Sequence, residues 1–249
     1  MTVLLQPEQS TVTHGPPQDT INQLINLYNQ GQLTAVVEQA QPLTKQYPNA
    51  FVIWNVLGAA HKGLGKTVKA SAAFKRVTEL NPTYAAGFSH LGVTLQEEGK
   101  LDEAIEAYNK ALFLKPDCAS TRSQKLSLLA SICDWDKVTD ELSFLADLGV
   151  KGAGVPPFTL LALEDDPYRH RLRSENYAKK KFSQNTITDF VAPNQKPKRL
   201  RIGYFSADFK EHPVAHLIAK VIETHDRHYF EVYGYSIGSA SNDKMRHRL

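Results

Sequence analysis

Residues 51–84 read FVIWNVLGAAHKGLGKTVKASAAFKRVTELNPTY, and residues 85–118 read AAGFSHLGVTLQEEGKLDEAIEAYNKALFLKPDC. Laid over one another, the two stretches agree at a spacing of 34 residues. Trp54 and Phe88 coincide, then Leu57 and Leu91, Gly58 and Gly92, and His61 and Leu95. Further on, Ala70 meets Ala104, Phe74 meets Tyr108, Val77 meets Ala111 and Pro82 meets Pro116. The first set has the spacing of one apolar helix face and the second set that of another. Gly58 and Gly92 permit two helices to approach closely. Ala70 and Ala104 leave room for the ring opposite. Each proline ends a unit, because its ring cannot continue a helix.

Working outward, the same interval takes in Gly31, Gly65 and Gly99, and Pro48, Pro82 and Pro116. A fixed 34-residue period is that of the tetratricopeptide repeat, a helix–turn–helix unit that stacks on its neighbours. Residues 17–50 keep Leu24, Leu27, Val36, Leu43 and Pro48 but lack the aromatic positions, which suits a terminal unit. Residues 119–152 keep helical spacing at Leu126, Leu129, Ile132, Val138, Leu142 and Leu145, without the glycine and proline marks. Cys133-Asp134-Trp135-Asp136 makes its turn, with Asp134 as the N-cap. The expected fold is therefore an α-solenoid of tetratricopeptide repeats over 17–152, in units 17–50, 51–84, 85–118 and a degenerate 119–152. Such a solenoid offers a concave surface to a peptide or partner protein; the plain alternative is a spacer. The inner-helix series Asn22, Val56, His90 and Gln124 forms no ladder of one residue type.

Gly152, Gly154, Pro156 and Pro157 then read as a linker, so 153–198 is expected to join two domains. Glu164-Asp165-Asp166-Pro167 can open a helix there, carrying Tyr168, Leu172, Tyr177 and Phe182. Its Arg169, Arg171, Arg173, Lys179, Lys180 and Lys181 read as a solvated basic face, since no nucleic-acid motif accompanies the charge. Residues 200–206 and 229–237 read as strands, with a helix opened by Pro213 between them. Strand, helix and strand make a βαβ unit, the start of a Rossmann-like α/β domain over 199–249. One such unit leaves strand edges and faces bare. The last residues bring no closing element, so a larger α/β region is expected to be missing.

Ligands of open α/β sheets sit beyond the carboxyl ends of the strands, which points to the loop 206–212. His212, in Glu211-His212-Pro213-Val214-Ala215-His216, stands there at a helix N-terminus. It could serve as a general base or as a donor to substrate, or it could simply cap the helix. His212 and His216 have the i, i+4 spacing of a metal pair, but no carboxylate or cysteine set completes one.

Composition narrows the classes further. The 249 residues are 42% hydrophobic and 22% charged, as in globular proteins, and the net charge is only +3. That balance does not argue for nucleic acid. No run suits a membrane helix, no secretory leader is evident, and the two cysteines, Cys118 and Cys133, exclude a disulfide framework. A cytoplasmic protein is the expectation.

Taken together, the repeats, the CDWD of 133–136, LRIGYFSADFKEHPVAHL at 200–217 and FEVYGYS at 230–236 resemble the O-linked N-acetylglucosamine transferase family, including its SPINDLY-like plant relatives. The resemblance covers most of this chain but only the front of the family's architecture. It implies a GT-B catalytic region of two Rossmann-like halves and inverting transfer of sugar from a UDP-GlcNAc-type donor to Ser or Thr of acceptor proteins. The repeats would bind the acceptor. No cofactor or metal is implied; the nucleotide sugar is a substrate. The histidine of the family's H-P-x-x-H motif corresponds to His212, and its second histidine to His216. The nucleotide-binding residues belong to the second half and have no counterpart here, so this stretch by itself is expected to be inactive. Two other readings stand beside it: a non-catalytic repeat scaffold with a truncated tail, and a SPINDLY-type fucosyl transferase. Animal members carry an asparagine ladder along the repeats, and here only Asn22 occupies its register.

Overall fold

The computed structural model describes residues 15–182 and 198–249, which form two compact units divided at 184/185. In the first, helices alternate along the expected period. They are α1 (Gln18–Asn29), α2 (Leu33–Gln46), α3 (Phe51–Gly63), α4 (Thr67–Leu80), α5 (Ala85–Glu97), α6 (Leu101–Leu114), α7 (Ala119–Ser131) and α8 (Trp135–Leu145). Each packs on the next in sequence, and the first helices of neighbouring units also touch, α1 on α3 and α5 on α7. The apolar positions of the 34-residue pattern are the core. Leu57, Ala70, Phe74, Val77, Ala104, Tyr108 and Ala111 are all buried. A Cβ on Gly58 would stand 2.8 Å from the Phe74 ring, and one on Gly92 would stand 2.6 Å from the Tyr108 ring. Close packing of these rings therefore requires glycine opposite them.

The intra-unit turns share one backbone feature. Gly31, Gly65 and Gly99 are left-handed, with φ of 72°, 69° and 77°. Cys133 follows 34 residues after Gly99 and is left-handed too, at φ 58°. The fourth unit thus keeps the turn although its glycine is gone, and a non-glycine residue carries the strain. Asp134 caps α8 as expected, accepting the Lys137 N–H at 3.3 Å.

Beyond α8 the described residues 153–182 of the expected 153–198 linker pack against the first unit. Val155 and Leu160 are fully buried against the α7–α8 core, and a 3₁₀ turn at Pro157–Leu160 packs on α7. Helix α9 (Pro167–Lys181) opens as expected, with Pro167 in its first turn and Asp166 capping the Arg169 N–H at 3.0 Å. Its buried residue, however, is a basic one. Arg173 is completely enclosed, while Tyr168 and Phe182 are exposed. The Arg173 guanidinium donates to the carbonyls of Leu148 at 2.8 Å and Leu145 at 2.6 Å and pairs with Glu164. It therefore adds a donor to the last carbonyl of α8, which also accepts the Leu148 N–H at 3.2 Å, and satisfies that of Leu148 just beyond it, which is why burying this charge is tolerable. Arg171 and Lys179–Lys181 remain exposed.

The second unit holds β1 (Leu200–Ser206), α10 (Pro213–Thr224), β2 (Phe230–Ser236) and α11 (Lys244–Arg248). The strands are parallel, with Leu200 opposite Phe230 through to Ser206 opposite Ser236. Pro213 stands in the first turn of α10. After β2, α11 places Met245 against Ala215 and Ala219 of α10, and the sheet among the described residues stays two-stranded. Asp243 caps α11, accepting the Arg246 N–H at 2.8 Å. On the strands, Phe205 and Tyr235 stack at 4.4 Å and stay exposed, with Tyr233 beside them. The expected bareness of a lone βαβ unit is therefore present on this face.

Candidate functional site in the loop after the first strand

The chain leaves β1 at Ser206, crosses residues 207–212 and enters α10 at Pro213. Three contacts shape this loop. The Ser206 hydroxyl accepts the Asp208 N–H at 3.0 Å, the Asp208 carbonyl accepts the Lys210 N–H at 2.8 Å, and Phe209 buries its ring. Proline at 213 has no N–H to offer, so the next free donor at the helix start is the N–H of Val214. His212 takes it: its Nδ1 accepts that N–H at 3.3 Å. The imidazole is thus the N-cap of α10 and remains partly open to solvent, its side chain 39% exposed.

Capping has a chemical consequence. A neutral imidazole carries one ring proton. If Nδ1 accepts, the proton resides on Nε2, and His212 then faces outward as a hydrogen-bond donor. A base at Nε2 needs the other tautomer. One carboxylate stands near enough to favour it: Asp208 Oδ2 lies 3.7 Å from His212 Nδ1.

His216, the second expected site residue, is one turn further along α10. The two imidazoles have different partners. His216 Nε2 bonds Glu211 Oε1 at 2.6 Å, so the pair ties the loop to the helix surface. Among the described residues no cluster of three or more His, Cys, Asp and Glu side chains is arranged to hold a metal ion. From α11, Arg246 Nη1 reaches the Phe209 carbonyl at 3.4 Å. Asp208 and Glu211 escaped the sequence reading. Their legible signals are the i, i+4 and i, i+5 offsets to the two histidines, read across a turn rather than within a helix.

A second candidate surface lies along the first helices of the repeats. The register series Asn22, Val56, His90 and Gln124 contributes one cross-unit bond, from His90 Nδ1 to Asn55 Oδ1 at 3.3 Å. Further bonds run between Thr121 and Ser89 at 2.9 Å and between Ser123 and Thr159 at 2.9 Å. They link α3 to α5, α5 to α7, and α7 to the 3₁₀ turn. Burial first, and the Lys62 ammonium second, hold His90 below the usual imidazole range. A neutral His90 that donates from Nδ1 to Asn55 leaves Nε2 as an acceptor. Ser89, His90, Lys115, Ser120 and Thr121 border a cavity of about 170 Å³ between α5, α6 and the start of α7.

Comparison with known proteins gives matches to both parts of the chain. Residues 177–249 match the model of glycosyl transferase family 41. Residues 52–84 and 85–118 match tetratricopeptide repeat models. A probable UDP-N-acetylglucosamine–peptide N-acetylglucosaminyltransferase of Arabidopsis thaliana is 30% identical over 140 residues, which is 50% of this chain and 14% of that protein. The enzyme of that description from Caenorhabditis elegans is 40% identical over 55 residues, 22% of this chain and 5% of its own length. A solved structure of a Thermobaculum terrenum O-GlcNAc transferase mutant aligns with 94% of this chain and 40% of its own, at 24% identity and a TM-score of 0.46. The chain thus spans a small part of the length of the curated relatives it matches.

Proposed function

With a tetratricopeptide solenoid followed by the opening of a glycosyl transferase family 41 region as the premise, we propose that this chain is the front of a protein O-GlcNAc transferase-like enzyme. The supporting observation is that the family 41 match contains the loop bearing His212, at the carboxyl end of the first strand of a parallel pair. That is where open α/β sheets receive ligands. The reaction is inverting transfer of a sugar from a nucleotide sugar of the UDP-GlcNAc type to a Ser or Thr hydroxyl of an acceptor protein. His212 lines the sugar side of the cleft. His216, through Glu211, steadies the loop and has a lesser part in the chemistry. The row of first helices holds the acceptor polypeptide. His90 Nε2 and the hydroxyls beside it provide polar contacts in place of an asparagine ladder. No cofactor or metal takes part, and the setting is the cytoplasm; no described helix is long and apolar enough to cross a membrane.

The test is direct. Residues 1–249, incubated with UDP-GlcNAc and acceptor protein, should show no transfer. A polypeptide translated past Leu249 into a second Rossmann-like half should show it, and His212→Ala in that polypeptide should lower turnover at least about tenfold with the fold intact. Unchanged turnover removes His212 from the site. A reading frame that stops at Leu249 leaves the repeats as a binding scaffold instead.

A further inference from the structure

We propose that Asp208 is the positioning residue for His212: by accepting a hydrogen bond from Nδ1–H, it turns the imidazole from a helix cap into a base-competent tautomer. The inference rests on the reading of His212 as a site residue. The structure places two candidate partners against one ring nitrogen. Val214 offers an N–H at 3.3 Å, and Asp208 offers a carboxylate oxygen at 3.7 Å. These demands are mutually exclusive, since Nδ1 accepts in the first and donates in the second. The capped state leaves Nε2 protonated and unable to take a proton. A small rotation of the ring toward Asp208 gives up the cap and frees the Nε2 lone pair.

The loop is built so that Asp208 is the carboxylate left for this purpose. The other acid of the loop, Glu211, is already engaged by His216 Nε2 at 2.6 Å. Asp208 pairs with no lysine or arginine among the described residues, while its backbone is held by Ser206 and Lys210. Both side chains are about one-third open, so substrate entering the cleft would displace water from the pair and strengthen the charge-assisted bond. In the transfer step, Nε2 takes the acceptor hydroxyl proton while that oxygen bonds the anomeric carbon. The nucleoside diphosphate leaves with the bonding pair, and the imidazolium keeps its Nδ1 proton against Asp208.

The experiment is imidazole ¹⁵N spectroscopy on the 249-residue chain at neutral pH, in the unaltered protein and in Asp208→Asn and Asp208→Glu. The unaltered chain should show a measurable Nδ1–H population at His212. Asparagine keeps an acceptor but loses the charge, so this population should fall about fivefold. Glutamate should restore part of it. His216, held by Glu211, should not change. If His212 of the unaltered chain is wholly the Nε2–H form, or if Asp208→Asn leaves its tautomer ratio unmoved, the proposal is wrong. The first of these outcomes needs no variant and so does not depend on a variant folding. Because the readout is a tautomer and not turnover, a failed transferase assay and a failed pairing are told apart.

Discussion

Replacing Arg173 with methionine tests the account of how the solenoid ends. Methionine fills the space of the stem but donates nothing. The Leu148 carbonyl oxygen loses its donor at 2.8 Å, while that of Leu145 loses one at 2.6 Å and keeps the Leu148 N–H at 3.2 Å. Glu164, whose side chain is 9% exposed, loses its buried partner and keeps Arg169 at 2.7 Å. An unpaired buried acceptor costs about 1 kcal/mol or more, and breaking a buried pair costs about 3–5 kcal/mol. With Arg169 still present, the lower end applies, and we expect about 3 kcal/mol. Stability in a solenoid is a sum of neighbour terms, so this loss falls on the C-terminal end. Amide hydrogen exchange in α7, α8 and α9 should accelerate by about a hundredfold, as 1.4 kcal/mol corresponds to a factor of about ten. Helices α1–α4 should keep their rates. Adding Glu164→Gln removes the stranded charge and should recover about 1 kcal/mol. Acceleration below about tenfold, or acceleration spread evenly over α1–α9, would refute the capping role.

Two further outcomes follow from backbone and titration. Cys133→Gly should stabilise the fourth unit by about 0.5–1 kcal/mol, because relief of left-handed strain at φ 58° exceeds the added freedom of the unfolded chain; slower exchange in α7 and α8 checks it, and faster exchange contradicts it. His90 and His61 are both held below the usual imidazole range, His90 by burial and then Lys62, His61 by burial and then Lys69 and Lys66. A depressed folded value means that the unfolded chain binds protons first as pH falls. Their contribution is therefore complete above about pH 6.5 and is lost below it. The repeat unit should melt at a lower temperature at pH 5.5 than at pH 7.5, and His90→Gln should narrow the difference; equal melting temperatures would contradict the sign.

What the sequence made legible follows from which interactions repeat. Stacking neighbours select the same residue types every 34 positions, so Gly58 against Phe74 and Gly92 against Tyr108 announced themselves twice. The βαβ unit was legible because its strand runs and Pro213 obey local rules. Arg173 was not, since its burial depends on two carbonyls 25 and 28 residues earlier in the chain. A basic residue on a basic helix gives no local sign that it faces inward. Cys133 hid for a related reason: the turn imposed by the stack on either side outlasted the glycine that usually makes it.

The loop of the candidate site shows the same limit at closer range. Sequence alone places His212 at the start of α10, because Pro213 fixes the first turn and the strand before it ends at Ser206. It does not say which ring nitrogen faces the helix. That is decided by the cap bond, in which Nδ1 accepts the N–H of Val214, the second helical residue. The cap then puts His212 in the tautomer least suited to accept a proton, and any base role requires a competing acceptor for Nδ1–H. Asp208 at 3.7 Å is that competitor. The cap that fixes the histidine at the helix start is therefore also what creates the need for the aspartate four residues before it.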